Sequence, residues 1–271
     1  MAENPARDDS QQQLSKLDTS VPQTARIWNY WLGGKDNFAV DREVGDRVQE
    51  VFPQAVEAAR TSRAFLARAV RYLAGEAGIR QFLDVGTGLP TAENTHEIAQ
   101  SVAPECRIVY VDNDPLVLVH ARALLTSHPD GVTDYVDADM RDTAKVLREA
   151  SRTLDFTKPI ALMMMGILGH IADDEEARSI ISDLMSPMTS GSYLAVYDGT
   201  DLSPDVVEAT EVWNRSANPP YHLRSPERLA RFFDGLELVE PGLVSVTQWR
   251  PDPDKADVPP NVQYCAVGRK P

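Results

Sequence analysis

Along this chain the apolar positions change period near residue 80. Residues 1 to about 20 are polar and acidic with little to bury, and are expected to form a disordered tail. From there to about residue 78 the spacing is helical. In "TARIWNYWLGGKDNF", Ile27, Trp28 and Trp31 fall at i, i+1 and i+4, and Gly33-Gly34 mark a helix end. A second helix is predicted over about 41–51, stopping near Pro53. A third covers "PQAVEAARTSRAFLARAVRYLAGEAG" and ends at Gly75 and Gly78. Beyond residue 80 short apolar runs appear at 81–85, 107–112, 132–137, 159–165 and 190–198. Helical patterns lie between and after them, at about 91–102, 115–126, 142–153 and 173–186. Strands alternating with helices imply parallel βαβ units in one sheet. The ending differs. A helix over 225–234 opens with Ser225 as cap and Pro226 at its first position. "LELVEPGLVSVTQW" and "NVQYCAVGR" then read as two strands without a helix between them, hence antiparallel. The pattern divides the chain into a tail (1–20), a helical cap (21–78) and an α/β domain (79–271).

No apolar run approaches the roughly 20 residues of a membrane helix, and the first 20 residues lack the apolar core of a signal peptide; a cytoplasmic protein with no membrane partner is expected. Cys106 and Cys265 stand alone, so neither a disulfide framework nor a bound metal is expected. The net charge of −14 repels phosphate backbones, so nucleic acid is not an expected partner. Arg60, Arg63, Arg68 and Arg71 are the best basic patch, and read as the solvated face of an amphipathic helix.

"QFLDVGTGLPTAEN" carries the chemistry. It reads as a strand, a glycine turn and a helix, which suits a ligand at the carboxyl end of a parallel sheet. Gly86 and Gly88 let a ligand approach the backbone. The dinucleotide fingerprint wants a third glycine where this chain has Thr91, and does not ask for an acid two residues before the first. Asp84 beside a pyrophosphate is unfavourable; a sulfonium or an amino group tolerates it. S-adenosylmethionine has both and no phosphate. Asp112, which ends "RIVYVD" with Asn113 beside it, can accept both ribose hydroxyls. In "YVDADMRD", Asp139 can accept from an adenine amino group while Met140 packs on the ring. Taken singly, these acids are equally well read as turn and cap residues.

Together with Asp84-Val-Gly86-Thr87-Gly88, Asp112 and Asp139, the sequence resembles the class I S-adenosylmethionine-dependent methyltransferases. "TARIWNYWLGGKDNFAVDREVGDRV", "FLDVGTGLPT", "VYVDNDPLVLVHARALL" and a late "WRP" resemble, more specifically, an actinomycete methyltransferase-like family once known only as a domain of unknown function. The resemblance runs from about Pro22 to Gly268. It implies a Rossmann-like α/β fold, a seven-stranded, mostly parallel sheet with an antiparallel last strand, and S-adenosyl-L-methionine as cofactor. It does not imply a substrate. Pro90 departs from the third glycine common in class I enzymes generally.

The sulfonium carries the activation in methyl transfer, so a general base is needed only if the acceptor must lose a proton. His170, after the fourth strand in "LMMMGILGHIADDEEA", is the best base candidate, against a purely structural histidine. Tyr221 and His222 are a second pair, though an ordinary turn is the simpler reading. Met163, Met164 and Met165 read as a buried strand, and Gly166 after them can present backbone to the ligand's amino group. Trp28 and Trp31 read as core anchors. A sharper reading makes their segment a lid, with Tyr30, Gly34, Lys35 and Asn37 closing over the methionine end. The expected function is methyl transfer to a small molecule. A non-catalytic S-adenosylmethionine or S-adenosylhomocysteine binder is the alternative. A nicotinamide oxidoreductase is disfavoured, since 28 residues separate Asp84 from Asp112 where that fingerprint expects its acid about 20 after the glycines.

Overall fold

The computed structural model describes residues 18–90, 93–124, 127–255 and 257–271. Most of the expected tail, Thr91 and the end of the helix expected over 115–126 lie outside the described residues. Three helices come first: α1 (Thr24–Trp31), α2 (Ala39–Val51) and α3 (Ala55–Gly75). Alternating elements follow: β1 (Gln81–Val85), α4 (Thr95–Val102), β2 (Arg107–Asp112), α5 (Pro115–Leu124), β3 (Val132–Asp137), α6 (Thr143–Ala150), β4 (Ala161–Met165), α7 (Asp174–Met185) and β5 (Tyr193–Gly199). The chain ends with α8 (Pro204–Asn214), α9 (Pro226–Ala230), β6 (Glu237–Leu238), β7 (Val244–Ser245) and β8 (Gln263–Arg269).

The strands form one sheet of order β3-β2-β1-β4-β5-β8-β6, with β7 also paired to β8. β1 to β5 are parallel, and β8 runs antiparallel to β5. Among the described residues the sheet has eight strands rather than seven. The expected single strand over "LELVEPGLVSVTQW" is split at Pro241 and Gly242, whose φ of +86° is open to glycine. The order reverses between β1 and β4, and the crevice beyond their carboxyl ends is where a parallel sheet offers a ligand site.

Helices cover both faces, which is why β1 and β4 are buried nearly throughout. On one face Phe65, Leu66 and Leu73 of α3 and Ile98 of α4 pack against Phe82, Ile108 and Met163. On the other, Val146 of α6 and Ile180, Ile181 and Leu184 of α7 pack against Leu83, Leu162 and Leu194. Met163 and Met164 are buried strand residues. The "WRP" segment fastens α3 to the last strands. Arg68 is buried and donates to the carbonyls of Val246 and Trp249, and Phe65 meets the Trp249 ring edge-on. Arg68 is therefore no part of a solvated basic face, and Arg71 pairs with Asp252.

A third, smaller core belongs to the cap. Ile27 and Trp31 of α1 meet Val44 and Val48 of α2, Ala55 and Ala59 of α3, and Ala209 and Trp213 of α8. Burying one such aliphatic side chain is worth roughly 1.5–3 kcal/mol. The cap is thus α1, α2 and the start of α3 closed by α8, while the rest of α3 packs on the sheet. α8 is not predicted by the sequence pattern, because Val206, Val207, Thr210 and Val212 favour strand. Its signature is the opening Ser203-Pro204, a cap position followed by proline in the first turn.

Candidate active site

β1 leads into the turn Gly86-Thr87-Gly88. Gly86 (φ +75°) and Gly88 (φ +68°) take the left-handed conformation that favours glycine. A Cβ on Gly86 would overlap the Ile167 side chain after β4, whereas one on Gly88 meets nothing within 4 Å. The turn is tied down by Gly86 N donating to Val111 O (2.8 Å) and Thr87 Oγ1 donating to Asp84 O (3.1 Å). Asp84 is buried and accepts from Thr95 Oγ1 at 2.6 Å.

Asp112 combines its two readings. One carboxylate oxygen accepts from Gly88 N and the other from Asp114 N, both at 2.9 Å, so it shapes the glycine turn and opens α5. Each oxygen keeps a second lone pair, enough to accept a pair of hydroxyls. Burial pushes the carboxyls of Asp84 and Asp112 up to about 6, which leaves both charged at pH 7. Asp139 follows β3 and accepts from Arg141 N at 2.9 Å; Met140 beside it is buried.

Two adjoining clefts run across the carboxyl ends of the strands. The first is lined by Asp84, Gly86, Thr87, Gly88, Asp112, Asn113, Gly166 and His170. The second is lined by Asp112, Asn113, Asp139, Met140 and Ile167. They share Gly86, Asp112, Asn113, Ile167, His170 and Pro219. The strand-end residues expected to hold a cofactor are thereby brought into one elongated site.

His170 lies in a 3-10 turn, Leu168–His170, directly after β4. It is buried, and its Nδ1 is 2.9 Å from the carbonyl of Pro220. A carbonyl only accepts, so Nδ1 carries the proton and Nε2 the lone pair. Nε2 is buried without a hydrogen-bond partner among the described residues. Burial lowers the imidazole's pKa, so the ring is neutral at pH 7. The surroundings of this turn are heavily fixed. Arg224, fully buried, donates to the carbonyls of Leu168 and Ile171 and pairs with Asp174. Arg228 and Arg224 beside Asp174 hold its carboxyl down at about 2. His222 N donates to Gly169 O (2.7 Å), and the Tyr221 ring meets the imidazole edge-on at 5.1 Å. Tyr221 and His222 thus carry the His170 turn; neither lines the two clefts.

The N-terminal segment borders the first cleft, through residues other than those expected to form a lid. Gln23, Thr24, Trp28 and Asn29 line the first cleft, and Gln23 bridges to Asn218, next to cleft-lining Pro219. Tyr30, Gly34 and Asn37 do not line it. Tyr30 points to Asp46 (2.7 Å). Asn37 donates to Asn29 Oδ1 (2.9 Å), which also accepts from Asp36 N. A Cβ on Gly34 would overlap the Asn29 side chain. Gly34 and Asn37 therefore position Asn29, and Asn29 faces the cleft. Arg63 also lines it, while its guanidinium donates to Glu93 O. Trp28 reads as core from its spacing and Arg63 as solvated, so the sequence carries no signal for either role.

The ligand chemistry follows. Asp84, Asp112 and Asp114 line the first cleft, which disfavours a pyrophosphate and suits a cationic group. The N-terminus of α4, where a dinucleotide's phosphates would rest, is closed by its own capping box, Asn94 N donating to Glu97 Oε2 at 2.7 Å. Among the described residues no three His, Cys, Asp or Glu side chains are grouped to hold a metal ion. No helix of the described residues is long and apolar enough to cross a membrane.

Comparison with known proteins bears on the family and the fold. The sequence model of a family described as S-adenosyl methyltransferase matches residues 10–271. The crystal structure of a DUF574 family protein from Streptomyces avermitilis is 47% identical, covers 94% of this chain and 99% of its own, and superposes with a TM-score of 0.90. A candidate methyltransferase from Thermobifida fusca is 39% identical over 93% of this chain and 96% of its own, with a TM-score of 0.84. An O-methyltransferase family protein from Burkholderia thailandensis shares the fold at 15% identity, over 85% of this chain and 71% of its own, with a TM-score of 0.54. No curated protein matches the chain.

Proposed function

The chain belongs to the S-adenosyl methyltransferase family, and from that premise we propose that it methylates a small molecule, with His170 as the base that takes the acceptor's proton. Its cofactor is S-adenosylmethionine, whose bound sulfonium supplies an electrophilic methyl group. Asp112 holds the ribose hydroxyls, Asp139 and Met140 the adenine. Asp84 supplies negative charge beside the glycine turn, and Gly166 a backbone edge at the methionine end. His170 lines both clefts, and its Nε2 keeps an uncommitted lone pair. Pro220 fixes the tautomer, and Arg224 fixes the turn that carries the ring.

The observation that carries the small-molecule reading is the roof. The Gln23–Asn218 bridge joins the start of α1 to the 218–222 segment, so the site is covered from two sides. Such a roof excludes water and a polymer strand alike. The net charge of −14 adds repulsion against nucleic acid. The test incubates the protein and methyl-labelled S-adenosylmethionine with a cell extract. Label in the fraction that passes a small-pore filter is expected; label held in protein or nucleic acid overturns the reading.

Once an acceptor is found, His170→Asn should lower kcat about 10²–10⁴-fold, with S-adenosylhomocysteine affinity changed only a few-fold. A variant that turns over at the wild-type rate removes His170 from the chemistry.

A pH dependence also follows. Cofactor binding requires the charged form of Asp112, whose carboxyl sits at about 6. Affinity for S-adenosylhomocysteine should be level above pH 7 and fall about tenfold between pH 7 and pH 5, one proton being taken up. Stability without ligand runs the other way. Asp84, Asp112 and Asp198 all have raised carboxyl pKa values, at about 6, 6 and 7. The folded state binds more protons than the unfolded state between pH 4 and 7, so their contribution to stability declines as pH rises through that window. Calorimetric titrations and melting scans at pH 5, 6 and 7.5 read both trends; affinity that is flat across this range contradicts the role given to Asp112.

A further inference from the structure

Beside the cofactor cleft, and sharing Trp28 with it, lies a cavity of about 110 Å³. It is walled by Trp28 and Trp31 of α1, Val48 of α2, Trp213 of α8, Tyr221 and Gln263. Among the described residues no charged side chain lines it. Trp28 and Trp31, and Trp31 and Trp213, pack with ring centroids 5.9 Å apart, so the wall is a continuous aromatic surface.

Two residues of this wall each carry an unmet polar atom. Trp213 Nε1 and Gln263 Oε1 are both buried without a hydrogen-bond partner among the described residues. Trp213 and Gln263 are 6% and 7% exposed, so solvent does little to satisfy them. A buried donor or acceptor left unmade is costly, and its cost is recovered when a ligand supplies the partner. Indole Nε1 can only donate and the amide oxygen only accept. A ligand that answers both needs a group that accepts and donates at once, as a hydroxyl does. At about 110 Å³ it is smaller than the roughly 150 Å³ of a dry apolar cavity that admits benzene, so it has room for no more than a single ring. A charged ligand is excluded, because nothing here would pair it.

We propose that this cavity is the acceptor site, and that it takes a neutral, single-ring aromatic molecule bearing a hydroxyl or comparable neutral polar group. The inference rests on the methyltransferase reading above and names its substrate class. Trp28 is the shared wall, which sets the acceptor's ring beside the cofactor cleft. Tyr221 joins the two functions, because it lines the cavity and packs on the ring of His170.

The test uses p-cresol as probe, with toluene and benzoate as controls. Three of the chain's four tryptophans, Trp28, Trp31 and Trp213, line the cavity, so intrinsic fluorescence reports its occupancy. p-Cresol should quench or shift the emission saturably, toluene at least tenfold more weakly, and benzoate not at all. Ala209→Phe fills the cavity from α8 and should abolish the p-cresol response. Calorimetry on the same sample should show S-adenosylhomocysteine binding within threefold of wild type. No saturable p-cresol response in wild-type protein that binds S-adenosylhomocysteine overturns the proposal, as does an unchanged response in Ala209→Phe. Equal binding of benzoate and p-cresol overturns the neutral class. A p-cresol response that Ala209→Phe abolishes, in protein that fails to bind S-adenosylhomocysteine, supports the cavity and counts against the cofactor reading instead. If Ala209→Phe does not fold, Thr210→Phe, on the same helix and in the same wall, replaces it.

Discussion

Asp41→Ala should destabilise the protein by about 3–5 kcal/mol, the cost of stranding a buried charge. Arg26 and Asp41 are fully buried, with Arg26 Nε 3.5 Å from Asp41 Oδ1. The guanidinium also donates to the carbonyls of Asp18 and Val21, and lies over the Phe38 ring at 5.2 Å. Asp41 accepts from Gln23 N (3.0 Å) and Phe38 N (2.8 Å). One carboxylate therefore fixes the chain entering α1 and the chain entering α2. Alanine would leave a buried cation without its partner and two amides without an acceptor. Replacing both members, Arg26→Met with Asp41→Leu, should cost clearly less than Asp41→Ala alone, because no charge is then stranded. Urea unfolding of the three proteins checks this; a loss below 1 kcal/mol for Asp41→Ala would show that the pair is incidental. The functional consequence is specific. Gln23 is both the residue Asp41 holds and the one that bridges to Asn218, so a folded Asp41 variant should also bind cofactor more weakly.

The second large effect is at the glycine turn. Gly86→Val should remove detectable S-adenosylhomocysteine binding, a loss of at least 100-fold. The backbone at Gly86 (φ +75°) costs an L-residue roughly 1–2 kcal/mol. The new side chain would also meet Ile167, which lines both clefts and begins the turn carrying His170. Relief of that overlap must push Ile167 into the cleft or move the turn. Gly88→Ala is the control. Its Cβ meets nothing within 4 Å, but its φ of +68° carries the same conformational cost of roughly 1–2 kcal/mol, so it should lose about that much stability and lose affinity less severely. Calorimetry with circular dichroism on both variants separates lost binding from lost fold. Normal affinity in Gly86→Val would mean that the ligand does not lie against this turn.

The parallel sheet, its switch point and the strand-end acids were legible because each has a local signature: buried runs, glycine turns, an acid after the strand. Asp84, Asp112 and Asp139 needed no knowledge of the tertiary fold. The roof is different. Tyr30 and Asn37 look like ligand-facing polar groups in sequence, but which face of α1 meets the cleft depends on how α2 and α8 pack beneath it. That packing turns Trp28 and Asn29 inward and sends Tyr30 to Asp46. Arg68 and Arg224 are similar cases. Arg68 reads from its spacing as part of a solvated face and Arg224 carries no signal in sequence, and each is buried because carbonyls from distant segments converge on it. Such convergence is a property of the assembled chain. α8 escaped for a local reason, its β-branched content, and with it went the far wall of the aromatic cavity.

The most direct test of the central claim, that the cofactor spans the two joined clefts, is a crystal structure grown with S-adenosylhomocysteine. Both ribose hydroxyls are expected within about 2.5–3.0 Å of the Asp112 carboxylate, the adenine between Met140 and Ile167, and the homocysteine end beside Gly86 and Gly166 beneath Trp28. Ligand density elsewhere, or a ribose that leaves Asp112 untouched, would contradict it.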